Sequence, residues 1–131
     1  MPLPTTLGNL RLPVIAAPMF IVSGPELVLA QCKAGIVGSF PALNARPASQ
    51  LDEWLDRITG ELPAGTPFAV NLIVHKTNNR LDEDLALCAK WKVPLVITSL
   101  GAREDVNAAV HGWGGIVLHD VIDNGFARKA V

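Results

Sequence analysis

Asn71 is the lone amide in an otherwise apolar run, Phe68-Ala69-Val70-Asn71-Leu72-Ile73. A buried amide left unpaired costs about 1–3 kcal/mol, so Asn71 needs a partner for its donors and its acceptor. A neighbouring strand end, a buried water or a ligand edge would each serve. Ala17-Pro18-Met19 closes an earlier apolar run. Its small side chains and rigid turn let backbone amides and carbonyls approach a flat ligand, and Met19 adds a soft apolar surface. His119-Asp120 closes the last run. Adjacent strand residues point to opposite faces, so these two cannot form a dyad, although one of them can face a cleft. No complete catalytic set is expected; His119 is the candidate.

Other reactive residues read more plainly. His75 follows the third run, two strand steps of ~4.8 Å from the fifth, too far to pair with His119. Surface or capping roles are expected for His75 and His111. Thr98-Ser99 ends the fourth run, where Ser99 is expected to cap the next helix. Cys32 and Cys88 lie in helical patterns with no Cys-x-x-Cys and no histidine at ligand spacing. They read as apolar helix residues, with no disulfide and no metal.

The elements that must position these groups follow from periodicity. Apolar runs with strand character start near Pro13, Ile36, Phe68, Leu95 and Ile116. They are continuous rather than alternating, as in parallel strands covered on both faces. Helical patterns separate them. The first opens at Gly24-Pro25-Glu26 and ends near Ala34-Gly35. Leu51, Trp54, Leu55 and Ile58 form the second stripe, behind a Ser49 cap. Leu81, Leu85, Cys88 and Ala89 form the third, with Asp82, Glu83 and Asp84 in its first turn, matching the helix dipole. Val106, Ala109 and Val110 form the fourth, stopped by Gly112, and a fifth starts at Asp123 or Asn124. Gly112-Trp113-Gly114-Gly115 precedes a strand and reads as a helix stop and tight turn.

The expected fold class is therefore α/β, one domain over residues 1–131, built of parallel β/α units. An open doubly wound sheet accepts this order, and so does a partial TIM barrel with about five of its eight strands. Neither Gly-x-Gly-x-x-Gly after the first run nor a Gly-x-x-x-x-Gly-Lys-Ser/Thr motif occurs, which counts against a dinucleotide site and leaves room for the barrel.

Composition narrows the partners. Half of the 131 residues are hydrophobic and 5% aromatic, with a net charge of −1. No basic stripe is present to neutralise phosphates, so nucleic acid and anionic membranes are not expected partners. The longest apolar run, Leu12–Val22, is broken by Pro13 and Pro18 and is too short to span a bilayer. No signal-like segment opens the chain. A cytoplasmic location is the expectation.

Several segments together resemble the nitronate monooxygenase family, formerly called 2-nitropropane dioxygenases. They are PVIAAPMF with the Pro25 helix, AGIVGSFPALNARP, FAVNLIVHKTNNRLDEDLALC, VPLVITSLG and GGIVLHDV. The resemblance implies an FMN-dependent (β/α)8 barrel that oxidises alkyl nitronates with O2 to a carbonyl compound and nitrite. A sister group on the same barrel reduces enoyl thioesters. Carried over by position, Ala17, Pro18 and Met19 match the segment against the flavin ring, and Asn71 matches an asparagine bonded to the flavin. His119 and Asp120 match a strand end facing the flavin, where some relatives carry a lysine. The family's catalytic histidine follows the sixth strand and its FMN phosphate loops follow the seventh and eighth; those motifs do not occur here. The resemblance thus implies the first five-eighths of the barrel, inactive alone, with sheet edges open to self-association. Two other readings stay open: a non-catalytic α/β fragment or partner-completed half-barrel, and a flavodoxin-type nucleotide-binding domain.

Overall fold

Four of the five apolar runs become strands in the computed structural model, which describes residues 3–131. They are β1 (Gly38–Pro41), β2 (Phe68–Ile73), β3 (Leu95–Ser99) and β4 (Ile116–His119). Helices follow the expected stripes: α1 (Pro25–Lys33), α2 (Ala48–Glu61), α3 (Leu81–Lys90), α4 (Glu104–Gly112) and α5 (Asn124–Ala130). The sheet is parallel throughout and its strands lie in the order β1-β2-β3-β4.

The first apolar run corrects the five-strand expectation. It contributes one parallel bridge, Ile15 to Val37, beside β1. Ala16 donates to the Val37 carbonyl at 2.9 Å, and Val37 donates to the Val14 carbonyl at 3.0 Å. Pro13 and Pro18 flank this short pairing and have no N–H to extend it.

Helices cover one face of the sheet only. Val28 of α1, Leu51, Leu55 and Ile58 of α2, Cys88 of α3, and Val106 and Val110 of α4 share a core with strand residues. The strand contributors are Phe40, Phe68, Val70, Leu72 and Val96. The alternate strand positions, Val37, Ala69, Leu95 and Ile97, form a second cluster with Leu7 and Leu10 from the N-terminal segment. A doubly wound sheet would carry helices on both faces, so this one-sided arrangement selects the barrel wall. The second cluster marks the barrel-interior face.

Local chemistry explains the element ends. Pro25 occupies the first turn of α1 behind Gly24, where its missing N–H costs nothing. Gly38 lets α1 sit directly on β1, since a Cβ there would lie 2.6 Å from the Val28 carbonyl oxygen. Ser49 lies inside α2 instead of capping it; Pro47 precedes the helix, and the Gln50 side chain accepts from the Arg46 amide at 2.8 Å. Asp123 caps α5 by accepting from the Phe126 amide at 2.9 Å. Gly112 ends α4, and Gly114 takes the left-handed conformation at φ 85° in the turn toward β4. No helix among the described residues is long and apolar enough to cross a membrane.

Candidate active site at the strand carboxyl ends

Strand parity and register together build the site. Ala69 faces the interior, so Asn71, two residues on, does too. Register places Asn71 beside Ile97 and Ile73 beside Ser99. The Asn71 amide nitrogen donates to the Ile97 carbonyl at 2.9 Å and to the Ser99 hydroxyl at 2.8 Å. A carbonyl can only accept, so this pair fixes which way the amide points. Ser99 in turn donates to Asp120 Oδ2 at 3.3 Å. Asn71, Ser99 and Asp120 thus form one donor chain across three strands. Asn71 Oδ1 accepts no hydrogen bond from the described residues and, unlike Asn107 Oδ1, is open to solvent.

Ser99 was expected to cap α4. The cap position is Arg103 instead, four residues later, and Ser99 is buried on the interior face. A strand that runs through Ser99 turns its hydroxyl away from the following helix.

The two residues ending β4 separate as parity requires. Asp120 joins the interior chain. His119 corrects the expectation of a flavin-facing ring: it lies on the helix side with Val117. Its Nδ1 is 2.6 Å from the Thr98 hydroxyl, and its Nε2 is 3.4 Å from the Asn107 amide of α4. Asn107 Oδ1 is buried without a partner. His119 therefore joins β3, β4 and α4 and is not part of the interior site.

Ala17, Pro18 and Met19 lie just beyond the Ile15 bridge, at the same end of the sheet. The buried Ser39 hydroxyl donates to the Ala16 carbonyl and holds the start of this turn. Met19 donates to Ser23 Oγ at 2.9 Å. Asn44, in the short helical turn Ala42–Asn44 after β1, closes the far side. It donates to the carbonyls of Met19 and Ser23 at 3.0 and 2.9 Å and accepts from the Ile21 amide at 2.9 Å. Sequence reasoning missed Ser39 and Asn44. Ser39 does interrupt an apolar run, but its hydroxyl is small enough to pass as a neutral strand residue, and both it and Asn44 act on a segment some twenty residues away.

The remaining reactive groups stand apart. His75 is exposed, its Nδ1 2.9 Å from the Thr77 hydroxyl, and His111 sits in the last turn of α4. Cys32 and Cys88 are free and buried, and burial pushes both thiols up from their ordinary range. No group of three metal-ligating side chains occurs among the described residues. Asp84, fully buried in α3, pairs with Arg80 at 2.8 Å, and burial raises its carboxyl above the usual carboxylate range despite that partner. This pair ties α3 to the loop after β1, through Arg80 donating to the Ala45 carbonyl at 2.7 Å.

The sequence matches no family model and no curated protein. Solved structures do match. FabK from Thermotoga maritima superposes with a TM-score of 0.81 at 23% identity over 94% of this chain, and a point variant of that protein does so at 0.81 and 21% over 95%. The enoyl reductase domain of MlnA, from the macrolactin biosynthesis cluster of Bacillus amyloliquefaciens, superposes at 0.80 and 19% over 92%. The chain spans 38%, 40% and 31% of those three chains. The fold is that of parallel β/α units forming part of a (β/α)8 barrel, with the described site at the strand carboxyl ends, where that architecture carries its chemistry.

Proposed function

We propose that this chain forms one wall of an FMN-dependent oxidoreductase whose substrate is an alkyl nitronate. The observation that carries the flavin reading is Asn71 on the interior face, with Oδ1 open to a ligand while both amide hydrogens are committed to β3. An isoalloxazine presents flat apolar faces and an edge of alternating donors and acceptors. The residues here fit it: an acceptor for a ring N–H at Asn71, and exposed apolar side chains at Met19 and Phe20.

When bound, FMN would accept electrons from the substrate and pass them on. The chain's own residues bind and orient. Asp120 draws on the Ser99 hydroxyl, and Ser99 draws on the Asn71 N–H, so the amide is polarised and Oδ1 becomes a stronger acceptor. The Ser39 hydroxyl holds the Ala16 carbonyl and so sets where the Ala17–Met19 backbone meets the ring. The exposed apolar side chains of Met19 and Phe20 would supply contact for the ring and exclude water from it.

Enoyl thioester reduction is the second reading, and Asp120 favours it. A nitronate is itself an anion and is disfavoured beside a carboxylate, whereas an enoyl thioester is neutral. The same fold in the enoyl reductase domain of MlnA supports this alternative.

The test is an FMN titration followed in the amide spectrum of the labelled chain, extended to millimolar ligand. Shifts at residues 16–22 and at the Asn71 side chain, with α3 unmoved, are the expected result. No shift at either place would remove the flavin reading. On the loaded chain, propane-2-nitronate and a short enoyl thioester are then compared. Preferential binding of the thioester would replace the nitronate with the second substrate class.

A further inference from the structure

The segment 19–23 has an unusual conformation for its residue types. Ile21 has φ 68°, left-handed backbone that a β-branched residue adopts at a real cost. Its side chain is 81% exposed, flanked by Phe20 at 60% and Val22 at 65%. Burial does not repay the strain. Two bonds close the turn from within, Met19 N–H to Ser23 Oγ at 2.9 Å and Ser23 N–H to the Met19 carbonyl at 3.0 Å. The Asn44 side chain adds three from outside, with its acceptor on the Ile21 amide and its two donors on the Met19 and Ser23 carbonyls. The Ile21 amide, at the strained position, has Asn44 as its hydrogen-bond partner, so the clamp acts where the turn's own bonds do not reach.

A second case stands at the same end of the sheet. Leu100, directly after β3, has φ 61° and is 69% exposed. The third left-handed non-glycine, Lys92, lies at the opposite end, where it simply closes α3. Strain carried by exposed apolar residues is therefore concentrated at the carboxyl ends of the strands.

We propose that Asn44 is a positioning residue for flavin binding: it locks the 19–23 turn so that Met19 and Phe20 meet the ring in a preformed arrangement. The inference rests on the flavin reading above and adds to it a residue that does not touch the ring. Preorganisation removes the ordering cost that a loose apolar loop would bear on binding. Arg46, whose guanidinium lies 5.5 Å from the Phe20 ring centroid, steadies the same side chain from the α2 side.

Three variants of the full chain test this: Asn44→Ala, Ile21→Gly, and the two combined. Glycine adopts a positive φ without penalty, so Ile21→Gly makes the turn less dependent on its clamp. Hydrogen exchange at the Met19 and Ile21 amides reports the turn without any ligand, and FMN titration reports binding. Asn44→Ala is expected to speed exchange at Ile21, leave the β2 and β3 amides protected, and weaken FMN binding about three- to tenfold. Adding Ile21→Gly should recover part of that loss, a rescue that a general structural role for Asn44 would not show. Faster exchange in Asn44→Ala with unchanged FMN affinity would overturn this inference and leave the flavin reading standing. Absence of rescue alongside weakened binding would overturn it too, assigning the loss to general disruption. Wild-type chain that binds no FMN would overturn the flavin reading and this inference with it.

Discussion

Asn71 and Ser99 meet across 28 residues of sequence, the amide of one donating to the hydroxyl of the other at 2.8 Å on the barrel-interior face. Both are buried, and the hydroxyl passes its own hydrogen to Asp120. The bond thus joins the ends of β2, β3 and β4 and leaves a carbonyl oxygen free for a ligand. Stability and binding should separate when the two residues are changed.

Asn71→Ala removes the bonds to the Ile97 carbonyl and the Ser99 hydroxyl and leaves that buried hydroxyl without its donor. A loss of about 1–3 kcal/mol in unfolding free energy is expected, together with weaker FMN binding. Ser99→Ala should cost less stability, about 1 kcal/mol, and weaken FMN only indirectly, by loosening the Asn71 amide. Urea unfolding and FMN titration measure the two effects. Equal FMN affinity in wild type and Asn71→Ala would make Asn71 purely structural.

Changing His119 should do the reverse. Its ring bonds Thr98 and lies beside Asn107 on the helix side, so His119→Ala is expected to lower stability by about 0.5–1.5 kcal/mol. FMN-induced shifts at Asn71 should persist in that variant. Their disappearance would return His119 to the interior site.

Gly38→Ala probes the contact of α1 with β1. The added methyl would meet the Val28 carbonyl at 2.6 Å and Cys32 Sγ at 3.0 Å, and the nearer neighbour is backbone that cannot rotate aside. Overpacking of this kind costs about 1–3 kcal/mol. Thermal unfolding reads it, and a melting point equal to wild type would show that α1 does not sit as closely as described.

Asp84 gives a pH dependence of defined sign. Burial raises its folded-state pKa, so the native state holds this proton more tightly than the unfolded chain. The contribution is most favourable below the unfolded value, and stability falls as pH rises from there through the raised value. Glu26, Asp52 and Asp105 are shifted down by Arg57, Lys90 and Arg103 respectively, and oppose it at acid pH. Subtracting the curve of Asp84→Asn from that of wild type isolates the Asp84 term, because the exposed carboxylates are common to both. The difference should decline with rising pH above about 4, the ordinary aspartate range. A difference that rises with pH would mean that Arg80 outweighs burial.

Much of this architecture is legible in local pattern. Continuous apolar runs and 3.6-residue stripes placed the four strands and five helices, because burial period and helix-end chemistry are short-range properties. The same period-2 rule settles that His119 and Asp120 face opposite ways. It does not say which of them faces inward. That depends on the side of the sheet to which the helices pack, and here all the packing helices share the side of Val117. Asn71 stands out as a polar residue that needs a partner, but its partners, Ile97 and Ser99, follow from the β2–β3 register. Register is a relation between segments more than twenty residues apart. The first apolar run had strand composition, yet only its Ile15 position pairs, at the sheet edge beside two prolines. Asn44 carried no pattern at all. Its role exists only because the turn after β1 lies against the loop that follows Ile15, a proximity created by the parallel pairing of Ile15 with Val37.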